Sequence, residues 1–383
     1  MRKRILVINP SLVPNGGGSG VCAWILEALK DEHDVALLAF RRPDFEAVNR
    51  YYGTGLLASE VEVHAALPWL PPLALEAPIL RRYRLWHLLA RGRRMPGFDL
   101  RVSAEEESDL GDHGIQYLHF PCVGRDAGNR SPRALAARAY QALITRATGT
   151  SIERMRRNIT VVNSDWTGRL VSRLHGIGTI TIHPPAAGAA PEVPWNRRAS
   201  AFVCVGRFQP DKRFELAIEI LGAVRARGHA VRLAIVGSHK NAEYRAHVLA
   251  LVRAHADWVT VHEDLSRDEL MRLFARHRYG IHAKEDEHYG MAVAEAVRAG
   301  AIVFVPRGGG QVEIVDNDDR LVWSTRDEAV AKIARVLEDP GLQESLRQRL
   351  ALRREHLGAD RFVREVRALV RRAVAPAQTS AGA

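Results

Sequence analysis

Cysteine is scarce: three occur in 383 residues, and Cys22, Cys122 and Cys204 lie far apart, mostly in apolar surroundings. This excludes a disulfide framework and a paired zinc-ligand motif, and it points to a reducing compartment. Long hydrophobic runs are lacking as well. "MRKRILVINPSL" begins basic and then apolar, but the run breaks at Asn9-Pro10, too soon for a secretory signal core. No run approaches the roughly 18 apolar residues that span a bilayer. The expected location is cytoplasmic, compatible with peripheral attachment at the inner face of a membrane. Also missing are H-E-x-x-H, G-x-S-x-G, paired C-x-x-C and G-x-x-x-x-G-K-[ST], which removes the usual signatures of zinc proteases, serine hydrolases and P-loop enzymes. "VDNDD" (315 to 319) holds an Asp-x-Asp, but in a polar turn, so no metal site is expected.

Acidic residues are outnumbered, 44 against 55 Lys and Arg, for a net charge of +11. The excess is concentrated. Arg81, Arg82, Arg84, Arg91, Arg93 and Arg94 share one short stretch with Tyr83 and Trp86, and a second basic stretch from Arg130 to Arg157 contains Glu153 as its only acidic residue. Such stretches suit an anionic partner, for which a membrane surface or a phosphorylated substrate is expected. No recognised nucleic-acid motif accompanies them, so a basic nucleic-acid binder, with its steep salt dependence, is the weakest reading.

Short apolar runs, "RILVI" (4 to 8), "VALLAF" (35 to 40), "IQYLH" (115 to 119), "ITVVN" (159 to 163) and "TITIH" (179 to 183), alternate with amphipathic patterns such as "GVCAWILEALKDE". Continuous apolar strands between helices mean a parallel sheet covered on both faces. The Pro- and Ala-rich stretch 184 to 199 interrupts this. The alternation then restarts with "AFVCV" (201 to 205), a helix from Lys212, "VRLAIVG" (231 to 237), a helix near Asn241, "WVTV", "SRDELMRLFARH", "YGIHA", a helix near Gly290 and "AIVFV". The expected class is α/β: two Rossmann-like domains facing across a cleft at the carboxyl ends of both sheets. The expected boundaries are 1–185, a linker 186–199, 200–357, and a C-terminal helix and tail 358–383.

Four constellations could carry chemistry there. In "NPSLVPNGGGSGVCAW" strand one opens into glycines before a helix, so the Gly17 and Gly18 amides can approach a phosphate. In "VGRFQPDKRF", Arg207 and Lys212 flank a strand-to-helix turn, where two cations can clamp a diphosphate. In "EDEHYGMAVAEAVRAG" (285 to 300), Glu287 and Glu295 bracket the amides of Gly290 and Met291. A fully helical path would separate the carboxylates by about 12 Å, near the span from a hexose to a ribose in a nucleotide sugar. In "GIQYLHFP", His119 ends a strand and could face a reacting sugar.

Together and in this order, "VVNSDWTGRL", "IHPPA", "VGRFQPDK", the Glu287 to Glu295 stretch and "GGGQVEIV" (308 to 315) resemble the family 4 retaining glycosyltransferases of GT-B fold. "QYLHFP", "VNSDWT" and "EHYGMAVAE" are most similar to the α-1,2-mannosyltransferases that extend lipid-linked oligosaccharides. The resemblance implies that the C-terminal helix crosses back to the first domain and that no metal or cofactor is used beyond the donor, a GDP- or UDP-sugar. It implies catalytic roles for His119, Arg207, Lys212 and Glu287. Arg207 and Lys212 would hold the diphosphate, Glu287 the sugar hydroxyls, Glu295 the ribose and Gly17 and Gly18 the phosphate side. Gly237, Ser238 and Leu265 would line the base, and Gly290 and Met291 would offer amides. The expected function is transfer of a mannose- or glucose-type hexose to a glycan or lipid-linked acceptor; a non-catalytic binder of nucleotide sugars or anionic glycans is the alternative. Two departures stand out: the turn near Glu263 lacks the family's usual glycine, and the first loop lacks the acidic residue that often follows its glycines.

Overall fold

Each half of the chain closes an apolar core of its own, dividing it into two units, Met1–His183 with Phe362–Ala383, and Pro184–Arg361. The computed structural model describes residues 2–14, 16–66, 81–123, 131–186, 188, 190–238 and 241–375. The side chains of Arg81 and Arg82, residues 187 and 189 of the expected linker, Arg130 and the tail from 376 lie outside that description.

The first unit runs β1 (Arg4–Ile8), α1 (Gly17–Leu29), β2 (Asp34–Ala39), α2 (Phe45–Tyr52), β3 (Val61–Ala65), α3 (Arg81–Arg94), β4 (Leu100–Ser103), β5 (Gly114–Leu118), α4 (Pro132–Thr148), α5 (Ile152–Arg157), β6 (Ile159–Val162), α6 (Asp165–His175) and β7 (Ile180–Thr181). Its seven strands lie in the order β3-β2-β1-β4-β5-β6-β7, with every pair parallel. Of these, β3 and β4 escape the reading of apolar runs, because "VEVHA" and "LRVS" are short and mix charged with apolar residues.

The second unit runs β8 (Ala199–Arg207), α7 (Phe214–Ala226), β9 (Arg232–Ser238), α8 (Ala242–Ala254), β10 (Val259–Glu263), α9 (Arg267–Arg276), β11 (His277–Ile281), α10 (Met291–Arg298), β12 (Ile302–Pro306), α11 (Gln311–Ile314), β13 (Val322–Trp323), α12 (Arg326–Glu338) and α13 (Pro340–His356). Its six strands are ordered β10-β9-β8-β11-β12-β13. In both sheets the order reverses beside the first strand, between β1 and β4 and between β8 and β11, and ligands of such sheets bind outside the carboxyl ends at that reversal.

The last helix, α14 (Ala359–Val374), re-enters the first unit at Phe362. Phe362, Val366, Leu369 and Val370 pack with Val21, Cys22 and Ile25 of α1, burying the apolar side of an arginine-studded helix. Arg367 adds a hydrogen bond to the Ala28 carbonyl at 2.6 Å. The expected linker is not a free tether. Ala186 is fully buried and donates to the Leu357 carbonyl at 2.9 Å, and Trp195 meets the Tyr279 ring edge-on. These residues pack on the second unit because their Ala and Trp side chains supply apolar surface to it.

The basic stretches are more committed than their sequence implied. Arg84 is buried, Arg91 bonds the Ala66 carbonyl, and Arg93 and Arg154 share the carboxylate of Asp109, which has no solvent exposure. A buried carboxylate needs such partners, so these arginines act first as supports for α3, α5 and the loop after β4.

Candidate functional site

A dense polar cluster forms where β8 and β11 part. Strand β8 ends at Arg207; Pro210–Lys212 forms a 3-10 turn, and Arg213 takes a left-handed φ of 50° before α7 begins at Phe214. Lys212 therefore precedes the helix rather than opening it, because the proline turn and the left-handed residue delay regular hydrogen bonding. This bend carries Lys212 Nζ to 2.5 Å from Glu287 Oε2. Lys284 Nζ stands 3.5 Å from the other oxygen of Glu287 and 3.1 Å from Asp211, while His282 Nε2 is 3.4 Å from Glu287. Burial alone would raise the Glu287 carboxyl, but His282, Lys212 and Lys284 outweigh it and hold it well below the usual carboxylate range. Burial also lowers the pKa of His282, so at neutral pH its ring is neutral and the charges facing Glu287 are the two lysines.

Glu287 is not helical. Residues 284 to 290 form a turn that ends at Gly290, with φ of 101°, and α10 starts at Met291. The 12 Å helical spacing expected between Glu287 and Glu295 thus does not apply, since half of the interval is loop. Gly309 supports that loop. A Cβ there would stand 2.3 Å from the Glu287 carbonyl oxygen, and φ is 73° besides, so only glycine fits. The Gly310 amide donates to the same carbonyl at 2.7 Å, and buried Gln311 donates to the carbonyls of Lys284, Pro306 and Gly308. "GGGQ" is thus the backing that fixes the Glu287 loop.

Beyond the loop, α10 has no side chain capping its first amides, so Gly290 and Met291 stand at an uncapped helix start. Glu295, one turn further on, is buried and accepts from Arg267 at 2.7 Å. The reading of the sequence missed Arg267. Its only signal was the Ser266–Glu269 capping box, which sets Arg267 at the first position of α9. Arg207 is exposed and has no ion-pair partner among the described residues.

Of the other expected contacts, Ser238 ends β9 beside Arg207, and Leu265 is half-buried against the core. Gly237 has a packing reason of its own: a Cβ there would lie 2.3 Å from the buried Phe208 ring. The turn where the family's glycine is missing is braced by Arg245, which binds Glu263 through two nitrogens at 2.6 and 2.8 Å. In the "VDNDD" turn, Asp316, Asp318 and Asp319 pair with Arg349, Arg320 and Arg307 respectively.

In the first unit, the structure brings Gly18 and His119 together. A Cβ on Gly18 would lie 3.3 Å from His119 Nε2, and that nitrogen is 3.2 Å from the Ala104 carbonyl at the end of β4. A carbonyl partner requires Nε2 to carry the proton; burial pushes the ring pKa down to about 4, so the neutral form prevails near pH 7. Tyr52 steadies the glycine loop, its hydroxyl accepting from the Gly16 amide and donating toward the Val13 and Gly16 carbonyls. The amides of Gly17 and Gly18 begin α1, which again has no side-chain cap. Glu105, directly after β4, accepts from buried Asn9 at 2.7 Å at the end of β1. The acidic run Glu105 to Glu107 in a basic domain was the available signal.

Comparisons with known proteins point the same way. Residues 190–352 match the family model for glycosyl transferases group 1. The chain is 26% identical over 171 residues to the GDP-Man:Man(3)GlcNAc(2)-PP-Dol alpha-1,2-mannosyltransferase of Candida glabrata, covering 40% of this chain and 34% of that protein. The mouse protein of the same name is 27% identical over 173 residues, covering 40% and 35%. The match thus spans about a third of the length of these relatives. Among solved structures, sucrose-phosphate synthase from Thermosynechococcus elongatus superimposes with a TM-score of 0.69 at 18% identity over 97% of this chain and 99% of its own. WaaG, a glycosyltransferase of lipopolysaccharide biosynthesis, gives 0.69 at 14% identity, over 96% and 99%. Anabaena HepE in complex with UDP gives 0.64 at 15% identity, over 96% and 100%. Residues 190–352 form a glycosyl transferases group 1 domain, and the chain as a whole has the GT-B glycosyltransferase fold.

Proposed function

We propose that the protein is a retaining hexosyltransferase that moves a mannose- or glucose-type sugar from a nucleotide diphosphate sugar to a glycan or lipid-linked acceptor without a metal. The observation that carries this is the ionised Glu287, set between Lys212 and Lys284 at the strand-order reversal and beside the uncapped start of α10. Glu287 offers acceptor oxygens to sugar hydroxyls. Lys212, Arg207 and the Gly290 and Met291 amides offer positive charge to the diphosphate as its bond to the sugar breaks, the step at which fixed positive charge contributes most. Glu295, held by Arg267, faces the ribose hydroxyls. Gly237, Ser238 and Leu265 line the base.

On the acceptor side, neutral His119 and the amides of Gly17 and Gly18 meet the transferring sugar and its phosphate. Glu105 takes the place of the acidic residue absent from the glycine loop. The named relatives use GDP-mannose and a dolichol-linked glycan, which makes GDP-mannose the first donor to test. The peripheral face is an anionic membrane surface, the setting in which a lipid-linked acceptor is met.

The test is a thermal-shift panel of GDP-mannose, UDP-glucose and ADP-glucose, followed by transfer of labelled sugar to octyl mannoside and octyl glucoside. A donor that binds raises the melting temperature with its concentration, and transfer with retained anomeric configuration is the expected result. Donor binding without transfer to any acceptor supports a non-catalytic nucleotide-sugar protein instead. No shift with any donor rejects both readings.

A further inference from the structure

A cavity of about 740 Å³ opens at the amino-terminal edge of the first sheet, the edge opposite the glycine loop and His119. It lies where α3 ends, β4 and β5 begin, and α4 passes into α5, and its lining includes Arg93, Arg94, Arg101 and Arg154. Nothing in the proposed transfer uses it.

Its charges do not balance. Arg93 and Arg154 share the single carboxylate of Asp109, and their remaining bonds go to the Thr148 and Gly149 carbonyls. Arg101 is held by carbonyls, Nε to Gly92 at 3.0 Å and one Nη to Met95 at 2.6 Å, and it forms no ion pair among the described residues. Burial lowers the Arg101 pKa, the mark of a cation short of compensation. Arg94 is exposed and unpaired among the described residues. Of the two carboxylates in the lining, Asp99 pairs with Lys3, and the exposed Asp112 pairs with Arg157 while also acting on Arg154.

A purely structural role for these arginines is to neutralise the carboxyl ends of α3 and α4, each worth about half a negative charge. That accounts for about one of the three guanidinium charges left after Asp109. Roughly two positive charges then converge on an open space, at a cost that an anion of matching charge would relieve. Arginine forks suit tetrahedral phosphate oxygens in particular.

We propose that this cavity is a binding site for a ligand bearing a phosphate or diphosphate group, distinct from the nucleotide-sugar site of the second unit. The group could belong to a free diphosphate or to a phosphorylated lipid headgroup, and both present the same oxygens.

The experiment is isothermal titration of the full chain with inorganic pyrophosphate, together with sedimentation of the protein with phosphatidylcholine vesicles with and without phosphatidic acid. Each is run on the wild type, on Arg94→Glu, which alters an exposed side chain, and on Arg101→Met. Because the donor site is identical in all three proteins, the difference between titrations isolates the cavity. The expected result is a class of pyrophosphate binding weakened by about tenfold or more in both variants. If phosphatidic acid vesicles also retain the wild type, lose both variants and are displaced by pyrophosphate, the source is a headgroup. If only pyrophosphate discriminates, the source is a free ligand. Equal titrations and equal vesicle retention for all three proteins, or no binding of either probe by the wild type, would overturn the proposal. UDP-induced stabilisation, read on the same variants, stays unchanged if the two sites are separate.

Discussion

At the scale of single residues, the site is an arrangement of charge around Glu287. Lys212 meets that carboxylate directly, so the two residues act as one unit and their variants should not add. Lys212→Ala should lower turnover by about a hundredfold while the protein stays folded, because it removes a cation aimed at the leaving diphosphate. Near-normal turnover would remove Lys212 from the assigned role. The linkage of Glu287 to stability has a definite sign. Its folded pKa is depressed, so its contribution is present above the unfolded value near 4.3 and is lost as pH falls through the folded one. His119 has the same sign for a different reason, since burial disfavours its charged form. Its folded pKa of about 4 lies below the free value near 6.5, so the unfolded chain binds the extra proton and stability declines as pH drops between them. Melting of His119→Asn, compared with the wild type at pH 7 and pH 5, should show a smaller loss in the variant. Identical losses would mean that the ring is not held neutral by the fold.

Elements decide which of these residues can meet. The 3-10 turn before α7 brings Lys212 back over the end of β8, and the turn after β11 swings Glu287 toward it. Neither turn follows from helical or strand periodicity, which is why the sequence placed Lys212 at a helix start and Glu287 on a helical ruler. The glycines separate into two kinds. Gly309→Ala places a methyl against the Glu287 backbone at a positive φ, and should cost about 1–3 kcal/mol in chemical denaturation and weaken donor binding with it. Gly17→Ala meets nothing within 4 Å. That variant should unfold like the wild type, yet transfer more slowly if the Gly17 backbone approaches the phosphate. Loss of stability in Gly17→Ala, or full stability in Gly309→Ala, would contradict these assignments.

For the whole molecule, the long-range link is α14, whose sequence shows an apolar side without saying what covers it. Phe362 is fully buried in the first unit's core, although the helix that carries it follows the second unit in the chain. Phe362→Ala should therefore cost about 3–5 kcal/mol, and the loss should appear in the unfolding of the first unit. Hydrogen exchange should show deprotection of α1 and not of α9. Uniform deprotection, or none, would place the helix elsewhere.

Much of this was legible in the order of residues alone. Alternating apolar runs and helical patterns determine two parallel α/β sheets, because a strand covered on both faces must be apolar throughout. Spaced motifs singled out Arg207, Lys212, Glu287, Glu295 and the glycine loop. Tertiary structure alone decided their partners. Arg267 reaches Glu295, Gln311 braces the Glu287 loop, Glu105 receives the buried Asn9 amide, and Arg93 and Arg154 turn inward to Asp109. The physical reason is common to all four: a polar side chain excluded from water must find a partner, and that partner comes from whichever element packs nearest, however distant it is along the chain.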